Sequence, residues 1–119
     1  MLVADDEASL RSTLSTILES AGHRVVEAED GEVALRLLNE QSFDLLVLDL
    51  YMPKLDGMEV LRRIHVPPPM VIVYSAFAYF SLRAVREEVG PSVFRFVQKP
   101  VPPLEFIAAV NDAVAELDR

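Results

Sequence analysis

The sequence contains no cysteine, which excludes disulfides, thiolate metal sites and thiol nucleophiles and agrees with a reducing compartment. No apolar run approaches the length of a membrane span. The N-terminus also lacks the basic, apolar and small-residue order of a secretion signal, so a soluble, cytoplasmic protein is expected. Positive charge is scarce: 11 Lys and Arg against 19 Asp and Glu leave a net charge of −8. Proteins that grip phosphate backbones need clustered Lys and Arg, so direct nucleic-acid contact is not expected, and a cation or a partner with a basic face is more natural company. What is abundant is apolar surface. Of 119 residues, 51% are hydrophobic, enough to build the core of one ordinary domain spanning 1–119.

Short apolar runs alternate with longer amphipathic segments along the chain, the signature of an α/β domain with a parallel sheet. Strands are expected at Met1 to Ala4, Arg24 to Ala28, Phe43 to Leu48, Met70 to Tyr74 and Val93 to Gln98. Helices are expected from Ala8 to Ala21 with Gly22 as the left-handed residue after it, from Glu32 to Asn39, around Met58 to Ile64, from Phe80 to Val89, and along the stripe Phe106, Ile107, Val110, Val114 and Leu117. Pro67-Pro68-Pro69 is a stiff stop before the fourth strand. Right-handed crossovers turn five strands and five helices into an open, doubly wound sheet, and five strands suit the flavodoxin-like order 2-1-3-4-5. In such sheets ligands bind beyond the carboxyl ends of the strands, at the switch point between strands 1 and 3.

The residues at those ends are Asp5-Asp6, Asp49, Ser75 and Lys99. Each has a bland reading alone. Asp49 after the run FDLLVL is a turn or cap residue, Asp5-Asp6-Glu7 a helix N-cap with favourable first-turn charge, Ser75 a post-strand turn residue and Lys99 a solvated lysine. Brought to one edge, they describe chemistry. Three clustered carboxylates raise one another's pKa unless a cation neutralises them. Oxygen donors with no nearby His or Cys favour Mg²⁺ over zinc. Three carboxylates, one ammonium and one Mg²⁺ sum to zero charge, and such a pocket can accept a phosphoryl group. Asp49 is then the nucleophile, Lys99 and Mg²⁺ offset charge on the transferring oxygens, and Ser75 offers a hydroxyl.

Over essentially its full length the sequence resembles the receiver domain of two-component response regulators. Asp5 and Asp6 fall on that family's acidic pair, Asp49 on its phosphoacceptor, Ser75 on its Thr/Ser switch position, Lys99-Pro100 on its lysine and following proline, and Phe96 on its switch aromatic. Met52-Pro53 and Asp56-Gly57 match the loop after the phosphoacceptor. The resemblance implies that Asp6 and Asp49 ligate Mg²⁺ directly, Asp5 through water and Tyr51 through its backbone carbonyl. It also implies a cis peptide between Lys99 and Pro100. The implied partners are a sensor histidine kinase or phosphotransfer protein as donor, and an effector domain or downstream protein as target. Output would run through the face of the fourth helix, fifth strand and last helix, which could also pair two copies. The domain would promote only its own Mg²⁺-dependent phosphorylation and dephosphorylation, without being an enzyme for other substrates.

Some residues depart from the family pattern. Phe96 lacks the hydroxyl of the Tyr often found there, so an inward ring costs less and an active-like fraction is expected before phosphorylation. Tyr51 and Phe77 place bulk two residues beyond Asp49 and Ser75, where the family's attacking water passes, so a long-lived phosphoryl group is expected. Gly90-Pro91-Ser92 replaces the usual Gly-Ala before the fifth strand. Phe94, two residues before Phe96 and expected on the same face, competes with it for either the core or the switch role. A haloacid-dehalogenase-type phosphatase would carry an Asp where Tyr51 stands, and a flavodoxin-like carrier would need a Ser/Thr-rich loop where Asp5-Asp6-Glu7 would repel phosphate. A receiver that has lost phosphorylation is disfavoured by the intact acidic set.

Overall fold

In Leu45–Leu48 apolar residues occupy consecutive positions, and all four are fully buried. A strand exposed on one face would alternate, whereas one covered on both faces does not. The computed structural model describes residues 1–65, 68–76, 83, 86, 87 and 93–118. Within them the order is β1 (Leu2–Ala4), α1 (Ala8–Ser20), β2 (Val26–Ala28), α2 (Gly31–Glu40), β3 (Leu45–Asp49), α3 (Gly57–Arg63), β4 (Met70–Ser75), β5 (Val93–Gln98) and α4 (Pro103–Leu117), the last helix. The strands form one parallel sheet in the order β2-β1-β3-β4-β5, the expected flavodoxin-like doubly wound arrangement.

The pleat sorts the buried side chains into two cores. Leu2, Ala4, Leu46, Leu48, Val71 and Val73 pack with Ala34, Leu38, Met58 and Val60 beneath α2 and α3. Val3, Leu45, Val47, Ile72 and Tyr74 pack with Leu14, Leu18, Phe106, Ala109 and Val110 beneath α1 and α4. Burying each leucine of β3 contributes roughly 2 kcal/mol.

Four helices are complete among the described residues. The helix expected over 80–89 falls mostly outside them, although Arg83, Arg86 and Glu87 are helical. Phe77 and the segment Gly90-Pro91-Ser92 also lie outside the described residues. Three local expectations need correction. Gly57 is not a loop residue but the first residue of α3, whose N-cap Asp56 accepts the Glu59 N–H. Glu7 stands at the N-cap of α1 without a side-chain cap bond, and no acidic residue occupies that helix's first turn. Phe94 and Phe96 do not share a face. Val71 pairs with Val93 and Ile72 with Arg95, leaving Phe94 as the extra residue of a bulge. Phe94 therefore packs on the α1/α4 core and Phe96 on the α2/α3 core.

Candidate phosphoryl and metal site

The parallel register sets the site. Ala4 pairs with Leu48, so the next residues, Asp5 and Asp49, stand level at the carboxyl edge. Asp5 is fully buried, and its Oδ1 accepts the Glu7 N–H at 2.8 Å. Arg11 donates to the Asp5 carbonyl at 2.7 Å and ion-pairs with Glu27 at 3.0 Å, tying the start of α1 to β2. Asp49 is the last residue of β3, also buried, with Oδ1 accepting the Tyr51 N–H at 3.0 Å. Asp6 is exposed at the rim, and a carboxylate oxygen from each of Asp5, Asp6 and Asp49 lies within 4.8 Å of the others.

Lys99 follows β5. Its peptide to Pro100 is cis, as the resemblance implied, and its N–H donates to the Ser75 carbonyl at 2.8 Å. The ammonium Nζ stands 3.1 Å from Asp5 Oδ2 and 3.1 Å from Asp49 Oδ2. Burial raises the Asp49 pKa above the ordinary carboxylate value, and Asp5 adds to the rise against the Tyr51 N–H and Lys99, which lower it. Burial works against the charge of Lys99, but the Asp49 and Asp5 carboxylates outweigh it and hold the lysine pKa above its usual value.

The edge thus unites Asp5, Asp6, Asp49 and Lys99 as expected. Ser75 is fully buried at the end of the neighbouring strand. Tyr51, whose N–H bonds Asp49, is 46% exposed. Phe96 is half-buried on the edge strand β5 and packs against the α2/α3 core.

One site residue is absent from the sequence reading. Tyr74 is buried, its hydroxyl donates to Asp5 Oδ2, and Lys99 Nζ lies 4.7 Å from its ring centroid. Burial, and then the charge of Asp5, push the phenol pKa far up, so the hydroxyl keeps its proton. Within MVIVY the residue reads as core. The signal available was its pleat parity: Tyr74 pairs directly with Asp49. Gly57, expected only as part of the loop after Asp49, has a closer bearing on the site. A Cβ there would lie 2.5 Å from the Asp49 carbonyl oxygen, so only glycine lets α3 start against the end of β3.

This donor set fits Mg²⁺. Three converging carboxylates face one ammonium that touches only two of them, leaving uncompensated negative charge among hard oxygen donors.

The sequence pattern of the response regulator receiver domain matches residues 1–111. A probable transcriptional regulator, ycf27, of Porphyridium aerugineum is 36% identical over 120 residues, covering 100% of this chain and 49% of that protein. The transcriptional regulatory protein GlrR of Escherichia coli K12 is 34% identical, covering 98% of this chain and 26% of its own length. The chain thus spans about half, or about a quarter, of these relatives. The receiver domain of Francisella response regulator 1452 superposes with a TM-score of 0.81 at 29% identity, covering 98% of this chain and 96% of that one. With sequence, fold and the acidic edge in agreement, the chain belongs to the response regulator receiver domain family of two-component signalling.

Proposed function

We propose that Asp49 accepts a phosphoryl group from a phosphohistidine of a sensor kinase or phosphotransfer protein, in a Mg²⁺-dependent reaction. An Asp49 carboxylate oxygen attacks phosphorus, a P–O bond forms, and the P–N bond breaks with its electron pair passing to the imidazole. The observation that carries this reading is the position of Lys99 Nζ, 3.1 Å from each of two buried carboxylates beside a third. The ammonium is poised to follow the negative charge onto the transferring oxygens. Asp6 and Asp49, with the Tyr51 carbonyl, would hold the ion directly and Asp5 through water. Bound there, Mg²⁺ supplies Lewis-acid charge to the phosphoryl oxygens. The Ser75 hydroxyl offers a donor to the product. The domain modifies only itself, and the exposed Tyr51 side chain slows loss of the phosphoryl group by obstructing water.

Output runs through the face of β5 and α4, toward an effector domain, a downstream protein or a second copy. The 2.7 Å ion pair of Arg95 with Asp112 couples β5 to α4 and supports a concerted response. The half-burial of Phe96 against the α2/α3 core supports a ring biased inward before phosphorylation. The net charge of −8 favours protein partners over nucleic acid. No helix among the described residues is long and apolar enough to cross a membrane. Incubation with Mg²⁺ and acetyl phosphate, followed by intact-mass measurement, tests the reading. Wild type gains one phosphoryl group, while Asp49→Asn and chelated samples gain none; an unmodified wild type refutes it.

A further inference from the structure

We propose that Tyr74 is a positioning residue of the acidic site: its hydroxyl occupies Asp5 Oδ2 and its ring underlies Lys99, and together they weaken the site's hold on Mg²⁺. The inference rests on the metal reading above, but concerns a residue that reading does not use.

Tyr74 pairs with Asp49 across the β3–β4 ladder, and β3 separates it from β1. Two strand spacings amount to about 10 Å. A tyrosine reaches far enough over the intervening strand to meet the aspartate on the other side, whereas Phe, Val or Leu cannot supply the donor. The ring lies in the core with Val3, Val47 and Phe106, and the side chain is 2% exposed, so little water competes for the hydroxyl. A buried phenol needs a hydrogen-bond partner. Here that partner is a carboxylate of the site rather than a spare backbone carbonyl.

The consequence follows from counting lone pairs. Each carboxylate oxygen offers about two acceptor positions. Asp5 Oδ1 takes the Glu7 N–H, and Oδ2 takes both the Tyr74 O–H and Lys99 Nζ. One position on Oδ1 remains for a water of the ion's shell. The phenol therefore stabilises the metal-free carboxylate and leaves it a poorer acceptor once the ion arrives. Removing the hydroxyl deprives Asp5 of a donor in the metal-free protein, a loss that the cation and its waters can make good.

Magnesium binding to the full chain, measured by calorimetry and by amide shifts, is compared between wild type and Tyr74→Phe, alongside thermal melts with and without Mg²⁺. The variant binds Mg²⁺ about three- to tenfold more tightly, the effect of one net hydrogen bond. It also melts lower than wild type without metal, and gains more on adding Mg²⁺. A residue serving only the core would lower the melting temperature in both conditions and leave affinity unchanged or weaker. Tyr74→Leu, which also removes the ring beneath Lys99, provides a second point and binds at least as tightly as Tyr74→Phe. Unchanged or weaker Mg²⁺ binding in both variants overturns the inference alone. Absence of Mg²⁺ binding in wild type overturns it together with the metal reading.

Discussion

Lys99 Nζ lies 3.1 Å from Asp49 Oδ2, although fifty residues separate the two along the chain. The pair exists because β3 and β5 flank β4 and end at a common edge. The ammonium has two duties that pull in opposite directions: it balances the carboxylates at rest and stabilises the phosphoryl oxygens during transfer. Lys99→Met is therefore expected to tighten Mg²⁺ binding, because a cation has left the cluster, while slowing acetyl-phosphate labelling about 100-fold. Calorimetry and a mass-spectrometric time course read the two effects separately. Loss of both together would mean that Lys99 chiefly supports the fold.

The glycines differ in what surrounds them. A Cβ at Gly31 would fall 1.7 Å from the Leu55 carbonyl oxygen, and at Gly57 2.5 Å from that of Asp49, whereas at Gly22, with φ +93°, no atom lies within 4 Å. Overpacking costs about 1–3 kcal/mol, and a left-handed non-glycine residue about 1–2 kcal/mol. Urea melts should rank Gly31→Ala as most damaging, then Gly57→Ala, then Gly22→Ala. Gly57→Ala alone should also disturb Asp49 labelling, since it pushes on that residue's own carbonyl.

Asp30 ties α2 to the loop after β3. Its Oδ1 caps the Val33 N–H at 2.9 Å, and its Oδ2 stands 3.5 Å from Lys54 Nζ. The Val33 N–H, and after it Lys54, hold the carboxyl below its usual pKa against the opposing effect of burial. A depressed folded pKa contributes stability that is whole above the ordinary Asp value of about 4 and fades as pH falls through the folded value. Asp30→Ala is expected to lose about 1–2 kcal/mol near neutrality. The gap to wild type should narrow in urea melts at about pH 3, where the wild-type carboxyl is itself protonating.

Phe94 and Phe96 sit on opposite faces across the bulge, so their roles separate. Phe94→Ala should cost about 2 kcal/mol and leave the switch intact. Phe96→Tyr restores a polar tip and is expected to lower the active-like fraction at rest. Amide shifts along β5 should then begin further from their beryllofluoride-saturated positions in Phe96→Tyr than in wild type. Phe94→Tyr should leave them unmoved.

The sheet order and the convergence of Asp5, Asp6, Asp49 and Lys99 were legible in the sequence for a local reason. The buried strands β1 and β3 write uninterrupted apolar runs, and the first polar residue after each marks the functional edge; β5 carries Arg95 and Gln98 before Lys99, whose place was legible through the alternation of strands and helices and the resemblance. Features that depend on pairing between distant segments were not legible. Phe94 becomes a bulge residue only through the register of Val71 and Ile72. Gly31 looks like a spacer before α2 until Leu55 is folded against it. Tyr74 closes an apolar run and so reads as core, which it is; its second role depends on a carboxylate 69 residues away.

The central claim is that Asp49 itself carries the phosphoryl group. Borohydride reduces an aspartyl phosphate to homoserine, leaving a permanent mark at the modified position. After incubation with Mg²⁺ and acetyl phosphate, reduction, digestion and peptide sequencing by mass spectrometry should find homoserine at position 49 and nowhere else. Homoserine at Asp5 or Asp6, or a stable phosphoester on Ser75 with Asp49 unmarked, would contradict the account.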